Sequence, residues 1–269
     1  MDLNLKAKEI RRGTVTCIGS LGVGHIGGAL SMADVLAALY FKHMRIDPKN
    51  PQKEGRDRLI VSKGHAGPAV YAALAERGFF PKSELLTLNQ AGTNLPSHCD
   101  MNKTPGVDMT TGSLGQGFSC AAGVAKASLL RGDGAVIYTI IGDGESQEGQ
   151  IWEAAMFAAQ HKLENLIAFT DNNGYQIDGA IEEICGIAPL DQKWAAFGWN
   201  VIAADGHDAD KISDAITAAL RMRNGKPAMI ILKTVKGKGV GFIEAAKAGC
   251  HNMNLSKEQV EAALKELEV

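Results

Sequence analysis

Two oxygen-bearing side chains follow two apolar segments of the sequence and could together bind a divalent metal ion. Asp143 lies between two glycines directly after the run AVIYTII, and Asn173 follows the run LIAFT closely. A carboxylate, an amide oxygen and a nearby backbone carbonyl are hard oxygen ligands of the kind that Mg²⁺ takes, with phosphate and water completing its octahedron. The pattern therefore predicts a magnesium site that also binds a phosphate or diphosphate group.

The segment between these two residues has the pattern of a helix. Apolar residues recur in it at helical spacing, and they are Ile151, Ala154, Ala155, Ala158 and Ala159. A strand, a helix and a second strand form a right-handed crossover between parallel strands. Such a unit places Asp143 and Asn173 beyond the carboxyl ends of their strands, where open α/β sheets bind ligands. The glycines beside Asp143 let the backbone approach a ligand, and the start of the helix offers free N–H groups to phosphate.

The remaining apolar runs extend this unit into a larger sheet. Strands are predicted near 59–62, 135–141, 166–171, 200–204 and 228–234, each followed by a loop and a helical pattern. Such alternation predicts an α/β fold, a doubly wound parallel sheet with helices on both faces. The runs NVIAADG and AMIILKTV are both expected to be buried strands. Because no linker, repeat or low-complexity segment interrupts the pattern, the chain is expected to form a single domain over residues 1–269.

Three further segments carry helical signals. Residues 2–20 fit a helix, although the β-branched run from Thr14 to Thr16 leaves a strand open as an alternative. Ser31 and Asp34 are expected to form a capping pair ahead of an apolar helical face. Ser256 and Gln259 have the spacing of a capping box, which predicts the start of the last helix.

Composition and charge restrict the class of protein. With 45% hydrophobic and 22% charged residues, the 269-residue chain is ordinary for a soluble globular protein. A net charge of −2 gives no electrostatic case for nucleic acid or an anionic membrane as a partner. The cysteines are odd in number, scattered and never in a CxxC pair, which argues against a disulfide scaffold or a structural zinc site. Because neither a signal peptide nor a membrane span is recognisable, we expect a cytoplasmic protein.

Four histidines lie in glycine- or proline-rich segments, where loops are expected, and they are His25, His65, His98 and His251. The first of them falls within a GxGxxG pattern formed by Gly22, Gly24 and Gly27, which raises the alternative of an enzyme that binds a nicotinamide dinucleotide. That match lacks a firm preceding strand and the acidic residue that closes the second strand of the Rossmann fingerprint. Three of the histidines and the two metal loops are instead expected at the carboxyl ends of strands, which form one rim of one sheet, and this convergence is the stronger argument for a site.

The segments around these residues resemble the motifs of transketolases. The GDG and NN pair resembles the thiamine diphosphate signature, and GESQEGQIWEAA, HKLENL and NNGYQIDG look like its transketolase version. GHIGGALSMADVLAALYF, SKGHA and TTGSLGQG resemble further transketolase motifs. The resemblance runs from Leu5 to about Leu267 and is to the N-terminal, diphosphate-binding half of the family. It departs from the family pattern at Ile26, where proline is usual, and in the flanks of His98 and His251.

The resemblance implies cofactors and a role for each matching residue. Thiamine diphosphate would bind with Mg²⁺, or with Ca²⁺ or Mn²⁺ in its place, and the metal ligands would be Asp143, Asn173 and the carbonyl of Tyr175. The cofactor would contact His65, Gly112, Ser113, Leu114, Gly144, Glu145, Asn173, Ile177 and His251. The catalytic residues would be His25, His98, His251 and Glu148, of which the histidines contact the sugar and Glu148 belongs to a proton network between sites.

The function implied is that of the N-terminal subunit of a split transketolase. Such a subunit takes part in moving a two-carbon ketol unit from a ketose phosphate to an aldose phosphate, and a separate C-terminal subunit supplies the pyrimidine-binding domain. The expected assembly is α2β2. The α subunit of a 2-oxo acid dehydrogenase and a non-catalytic regulatory homologue remain alternatives, and the sugar could be an ordinary pentose phosphate, a branched sugar phosphate or a sulfonated sugar.

Overall fold

A five-stranded parallel sheet lies at the centre of the computed structural model, which describes residues 1–268. In chain order the strands are β1 (Val23–Gly24), β2 (Arg58–Val61), β3 (Ile137–Gly142), β4 (Leu166–Asn172), β5 (Asn200–Asp205), β6 (Ala228–Lys233) and β7 (Met253–Asn254). The central sheet has the order β2-β3-β4-β6-β5 with every neighbouring pair parallel. All five predicted strands and the doubly wound α/β architecture are therefore confirmed.

Helices cover both faces of this sheet. They are α1 (Leu3–Leu21), α2 (Ile26–Leu30), α3 (Ala33–Ala38), α4 (Gly67–Arg77), α5 (Gln116–Arg131), α6 (Gly149–Gln160), α7 (Ile181–Ile184), α8 (Leu190–Ala196), α9 (Ala209–Arg221), α10 (Gly241–Ala245) and α11 (Lys257–Glu266). None of those in the described residues combines the length and apolar composition that crossing a bilayer requires.

Alternate residues of the strands supply two separate cores. On β4, Ile167 and Phe169 pack with helices α1 to α4 and α9, whereas Leu166 and Ala168 pack with α5, α6 and α8. This alternation follows from the two-residue period of a strand, whose side chains point to opposite faces. Because both faces are covered, apolar residues are required at successive positions, as the run LIAFT shows.

The first segment is a helix throughout. Asp2 caps it by accepting a hydrogen bond from the Leu5 N–H at 3.0 Å, and Gly22 ends it in the left-handed conformation at φ 80°. The β-branched run does not break the helix, because the hydroxyl of Thr14 donates to the Ile10 carbonyl one turn earlier at 2.8 Å. Helix α1 packs against α3 and α4 and completes one face of the molecule.

Two local expectations are wrong, and tertiary contacts explain both. Ser31 and Asp34 do not cap α3, because the Ser31 hydroxyl donates to Asp171 at 2.6 Å and Asp34 pairs with Arg11. Strand β5 is not buried as NVIAADG suggested, because it lies at the edge of the sheet and its residues are half-buried or exposed. The capping box at Ser256 is confirmed and begins α11.

A second, very small sheet joins distant parts of the chain. Strands β1 and β7 pair antiparallel, with Val23 opposite Asn254 and Gly24 opposite Met253. The Leu255 N–H also donates to the Gly22 carbonyl at 2.8 Å. This pairing brings together the segment just before His25 and the segment just after His251.

Candidate active site

The loops at the carboxyl ends of β2, β3, β4 and β6 enclose a cavity of about 410 Å³. Asp143 follows the last residue of β3 and Asn173 follows the last residue of β4, which are neighbouring parallel strands. The sequence-predicted site residues that line the cavity are His25, His65, His98, Gly112, Leu114, Asp143, Gly144, Glu145, Glu148, Asn173, Tyr175, Ile177 and His251. Ser113 is exposed and does not line it.

Four imidazole rings from four separate loops meet in this cavity. The ring centroid of His25 lies 5.2 Å from that of His65, 5.6 Å from that of His98 and 5.3 Å from that of His251. The rings of His65 and His251 are 4.9 Å apart. His25 therefore occupies the centre of the group, at the start of α2.

These imidazoles are held in their neutral form. Burial, followed by the nearby Lys63 and the other histidines, lowers the pKa of His65 to about 2. Burial and then Lys236 lower the pKa of His251 to about 4, and burial also lowers the pKa of His25 and of His98. A neutral imidazole carries one N–H donor and one acceptor nitrogen, so the group can bind hydroxyls and exchange protons with them.

Asp143 is a buried carboxyl group that lies near a second one, Asp171. Only 1% of it is exposed, and it accepts backbone N–H bonds from Gly144 at 2.8 Å and from Gly174 at 2.5 Å. Burial and then the neighbouring Asp171 raise its pKa to about 7. A metal ion bound here would offset the cost of ionising a buried carboxyl group and the repulsion between the two carboxylates.

The other oxygens near Asp143 suit a hard cation. The Asn173 amide nitrogen donates to Asp171 at 3.2 Å, which orients the side chain, and its oxygen accepts from the Tyr175 N–H at 3.1 Å. Within the described residues, no group of three or more His, Cys, Asp or Glu side chains could hold a metal. A metal here would therefore rely on carboxylate, amide and carbonyl oxygens, which fits Mg²⁺ better than a transition metal.

Glu145 connects the metal loop to the glycine loop that contains Gly112. Its carboxylate accepts from the Ser62 hydroxyl, from the Gly115 N–H at 2.9 Å and from the Gly142 N–H at 3.1 Å. Both carboxylate oxygens thus accept hydrogen bonds within the protein. Glu145 therefore lines the cavity and also links the three segments that contain Ser62, Gly115 and Gly142.

Two buried lysines that the sequence analysis did not single out also line the cavity. Lys63 donates to Asp171 at 2.5 Å and to the Gly28 carbonyl at 2.7 Å. Lys236 is 4% exposed and its Nζ lies 3.4 Å from His251 Nδ1. Each lies just after a strand in a glycine-containing segment, SKGHA or KTVKGKG. This position is the feature of the sequence that could have identified the two lysines as site residues. Because the ion pair with Asp171 compensates the charge of Lys63, Lys236 is the lysine that suits an anionic ligand.

The GxGxxG pattern has a structural explanation. Gly22 ends α1, Gly24 belongs to β1, and Gly27 packs tightly against Cys250 inside α2. A helix precedes the pattern where a dinucleotide loop needs a strand. The nicotinamide alternative therefore lacks its structural basis.

A comparison with known families shows which family the chain belongs to. The family described as transketolase, thiamine diphosphate binding domain, matches residues 4–268. The chain belongs to the transketolase family. This membership favours transketolase over the α subunit of a 2-oxo acid dehydrogenase, with which the GDG and NN motifs would also be compatible.

Transketolase relatives of two sizes resemble the chain. It is 58% identical over 268 residues to the 6-deoxy-6-sulfo-D-fructose transketolase subunit SqwG of Clostridium sp. (strain MSTE9), covering 100% of this chain and 97% of that protein. It is 42% identical to an apulose-4-phosphate transketolase subunit of Actinobacillus succinogenes, covering 99% and 96%. Mouse transketolase is 36% identical, and the chain spans 41% of its length. The chain thus corresponds to the N-terminal subunits of split transketolases.

Solved transketolases have the same fold. The enzyme of Campylobacter jejuni superposes with a TM-score of 0.89 at 30% identity, and that of Leishmania mexicana with 0.90 at 29%. The matches cover 99% and 98% of this chain but 43% and 41% of those chains. The chain therefore spans less than half the length of these transketolases.

Proposed function

We propose that this chain is the N-terminal subunit of a two-chain transketolase that transfers a two-carbon ketol unit from a ketose phosphate to an aldose phosphate. The observation that carries the proposal is the group of four neutral imidazoles beside the Asp143 loop. Hydroxyl-binding groups next to a site for a metal and a phosphate suit a sugar substrate and a diphosphate cofactor. The cofactor is thiamine diphosphate with Mg²⁺, or with Ca²⁺ or Mn²⁺ in its place.

The residues of the cavity divide into those that hold the cofactor and those that act on the sugar. Asp143, Asn173 and the Tyr175 carbonyl would hold the metal. Thiamine diphosphate would contact His65, Gly112, Leu114, Gly144, Ile177 and His251. Ser113 and Glu145 would support the protein loops that bind it. When bound, this cofactor supplies the electron sink that breaking the C2–C3 bond of a ketose requires.

The histidines would bind and orient the sugar. In the neutral form His25, His98 and His251 accept hydrogen bonds from hydroxyls, and each can take up or return a proton during the reaction. Glu148 is exposed at the rim of the cavity. That position suits the proposed role in a proton network that reaches a second site in the assembly.

The proposed partner is a separate C-terminal subunit that supplies the pyrimidine-binding domain and its carboxylate. The names of the split relatives support this, because each is a subunit of a transketolase. We propose an α2β2 assembly in the cytoplasm, with residues 1–269 as one domain. Sugar phosphates are the proposed substrates, and neither nucleic acid nor a membrane is a proposed partner.

A sulfonated ketose is a second candidate for the donor. The specific observation in its favour is the 58% identity to a 6-deoxy-6-sulfo-D-fructose transketolase subunit, against 42% for an apulose-4-phosphate relative. A sulfonate and a phosphate are both tetrahedral anions at the end of the sugar. Because the two groups are so alike, discrimination between them would come from the contacts that the partner subunit makes to this end of the sugar.

The decisive experiment reconstitutes the two chains. This chain is assayed alone and with the product of the neighbouring gene, with Mg²⁺, thiamine diphosphate and ribose 5-phosphate as acceptor. The donors compared are xylulose 5-phosphate, apulose 4-phosphate and 6-deoxy-6-sulfofructose. We expect ketol transfer only in the mixture, and loss of at least about a hundredfold in rate with His25→Ala.

Three outcomes would contradict the proposal. Decarboxylation of pyruvate by the mixture would indicate a 2-oxo acid enzyme. Unchanged turnover with His25→Ala would indicate a regulatory homologue. Binding of a nicotinamide dinucleotide without binding of thiamine diphosphate would remove the cofactor assignment.

A further inference from the structure

The loop 234–237 contributes Lys236 to the lining of the cavity. Four hydrogen bonds from Thr234, Val235 and Gly237 join this loop to other parts of the chain. The Thr234 N–H donates to the Asn172 carbonyl at 3.2 Å and its hydroxyl donates to Asp171, while the Gly237 N–H donates to the Gly27 carbonyl at 2.9 Å. The last lies between these, where the Val235 N–H donates to Nε2 of His207 at 2.7 Å. This last hydrogen bond holds the residue that directly precedes Lys236.

The ring of His207 is itself held from behind. Its Nδ1 lies 3.0 Å from Oδ2 of Asp34, and Asp34 is paired with the buried Arg11. Only 13% of the His207 side chain is exposed. Because Nε2 accepts the Val235 N–H, the ring proton must lie on Nδ1, where it is donated to Asp34. The series of hydrogen bonds that runs from Arg11 through Asp34 and His207 to Val235 thus fixes both the tautomer and the orientation of the His207 ring.

Lys236 contacts two other parts of the chain. Its Nζ contacts His251, and its side chain passes against Gly27 with no space for a methyl group there. Val235 is exposed, so its side chain does not anchor the loop. Loss of the hydrogen bond to His207 would leave the Val235 N–H to solvent and the backbone before Lys236 freer to move.

We propose that His207 is a positioning residue that holds the loop 234–237 so that Lys236 faces the anionic part of the cofactor. The inference rests on the proposed function, because it assigns thiamine diphosphate to this cavity. His207 itself lies outside the cavity and touches neither cofactor nor sugar. Its action is exerted through the Val235 backbone.

Two substitutions separate the two hydrogen bonds of the ring. In His207→Gln the amide oxygen occupies the region of Nε2 and can still accept from Val235. In His207→Asn the shorter amide reaches only toward Asp34. We expect His207→Asn to raise the Kd for thiamine diphosphate by about tenfold in the reconstituted assembly with Mg²⁺, and His207→Gln by less than about threefold. His161→Asn, at the exposed histidine directly after α6, is the matched control and should leave the Kd unchanged.

Hydrogen exchange and nitrogen NMR provide readouts that do not require activity. Amides of 234–237 should exchange about tenfold faster in His207→Asn than in wild type, whereas those of β6 should not change. Nitrogen shifts of His207 in the wild-type protein should show a neutral ring protonated at Nδ1. This last measurement needs no variant and holds even if His207→Asn does not fold.

The possible results separate the inference from the proposed function. Wild-type assembly that binds no thiamine diphosphate would overturn both. Normal binding by wild type and by His207→Asn, unchanged exchange in 234–237, or a His207 ring protonated at Nε2 would each overturn the positioning role alone. Weaker binding in His207→Asn with recovery in His207→Gln would establish it.

Discussion

The ring centroids of His65 and His251 lie 4.9 Å apart at a tilt of 43°, although the two residues belong to opposite halves of the chain. Burial is the main influence that lowers the pKa of both rings, and the charge of Lys63 beside His65 and of Lys236 beside His251 lowers it further. Two adjacent imidazoles in these surroundings cannot both carry a charge. The pair therefore stays neutral across the physiological pH range.

The first prediction concerns stability against pH. The unfolded chain binds a proton at each histidine below about pH 6.5, whereas the folded His65 does not until about pH 2. The free energy of unfolding should therefore fall as pH decreases below 6.5, by up to about 1.4 kcal/mol per pH unit from His65. Urea denaturation at pH 7.5, 6.5 and 5.5 measures this slope. His65→Gln should reduce the slope and the exposed His161→Gln should not; equal slopes in all three would count against the neutral ring.

A second prediction concerns metal binding. Because the pKa of Asp143 is raised to about 7, the metal-free carboxyl is largely protonated below pH 7 and a metal ion must displace that proton. The apparent affinity for Mg²⁺ in the presence of thiamine diphosphate should fall between pH 8 and pH 6, by at most about tenfold per pH unit. Calorimetry in two buffers of different ionisation enthalpy measures the proton release. Asp143→Asn should abolish binding, whereas Asp191→Asn, at an exposed residue of α8, should preserve it. Proton release that persists in Asp143→Asn would refute the assignment.

A third prediction contrasts two glutamates of the segment GESQEG. Glu145→Ala removes the acceptor of three hydrogen bonds and leaves two backbone N–H groups and the Ser62 hydroxyl without that partner. We expect it to lower the free energy of unfolding by more than about 3 kcal/mol. Glu148→Ala, at an exposed residue, should change stability by less than about 0.5 kcal/mol and reduce turnover instead. Denaturation and rate measurements on both variants test this, and similar stabilities would show that the Glu145 bonds contribute little.

A fourth prediction uses adjacent glycines of α2. A methyl group at Gly27 would lie 2.8 Å from the Cys250 carbonyl oxygen, so Gly27→Ala should destabilise the protein by about 1–3 kcal/mol. A methyl group at Gly28 would lie 3.6 Å from His65 Nε2 and from Lys63 Nζ, which is ordinary contact. Gly28→Ala should therefore fold normally and weaken thiamine diphosphate binding, because Gly28 lines the cavity. Melting temperatures and Kd values distinguish the two effects, and a stable Gly27→Ala protein would contradict the close packing.

Much of the fold was predictable because strands covered on both faces appear as continuous apolar runs. The same run cannot show which strand lies at the edge, so the exposure of β5 was missed. Local pairing rules failed at Ser31 and Asp34, since each side chain bonds to a residue far away in sequence. Strand position depends on the local pattern, whereas these side-chain partners depend on the assembled fold.

The site was predictable to the extent that it follows from strand ends. Asp143 and Asn173 were located by this rule, which also placed three of the histidines at the same rim. Strand ends alone could not show how closely the rings approach one another, because the four imidazoles come from four unconnected loops. Lys63 and Lys236 were missed for a related reason, since a lysine after a strand is usually solvated and only the tertiary structure shows that these two are buried.

The pairing of β1 with β7 has a consequence for protein synthesis. His25 lies beside one strand of this pair and His251 beside the other, so the group of imidazoles is incomplete until residue 254 has joined its partner. A ribosome produces the chain from the N-terminus, so every strand of the central sheet is synthesised before β7. A chain that stops before residue 251 therefore lacks one of the four imidazoles, and a chain that stops before residue 254 lacks the strand that joins the loops of His25 and His251.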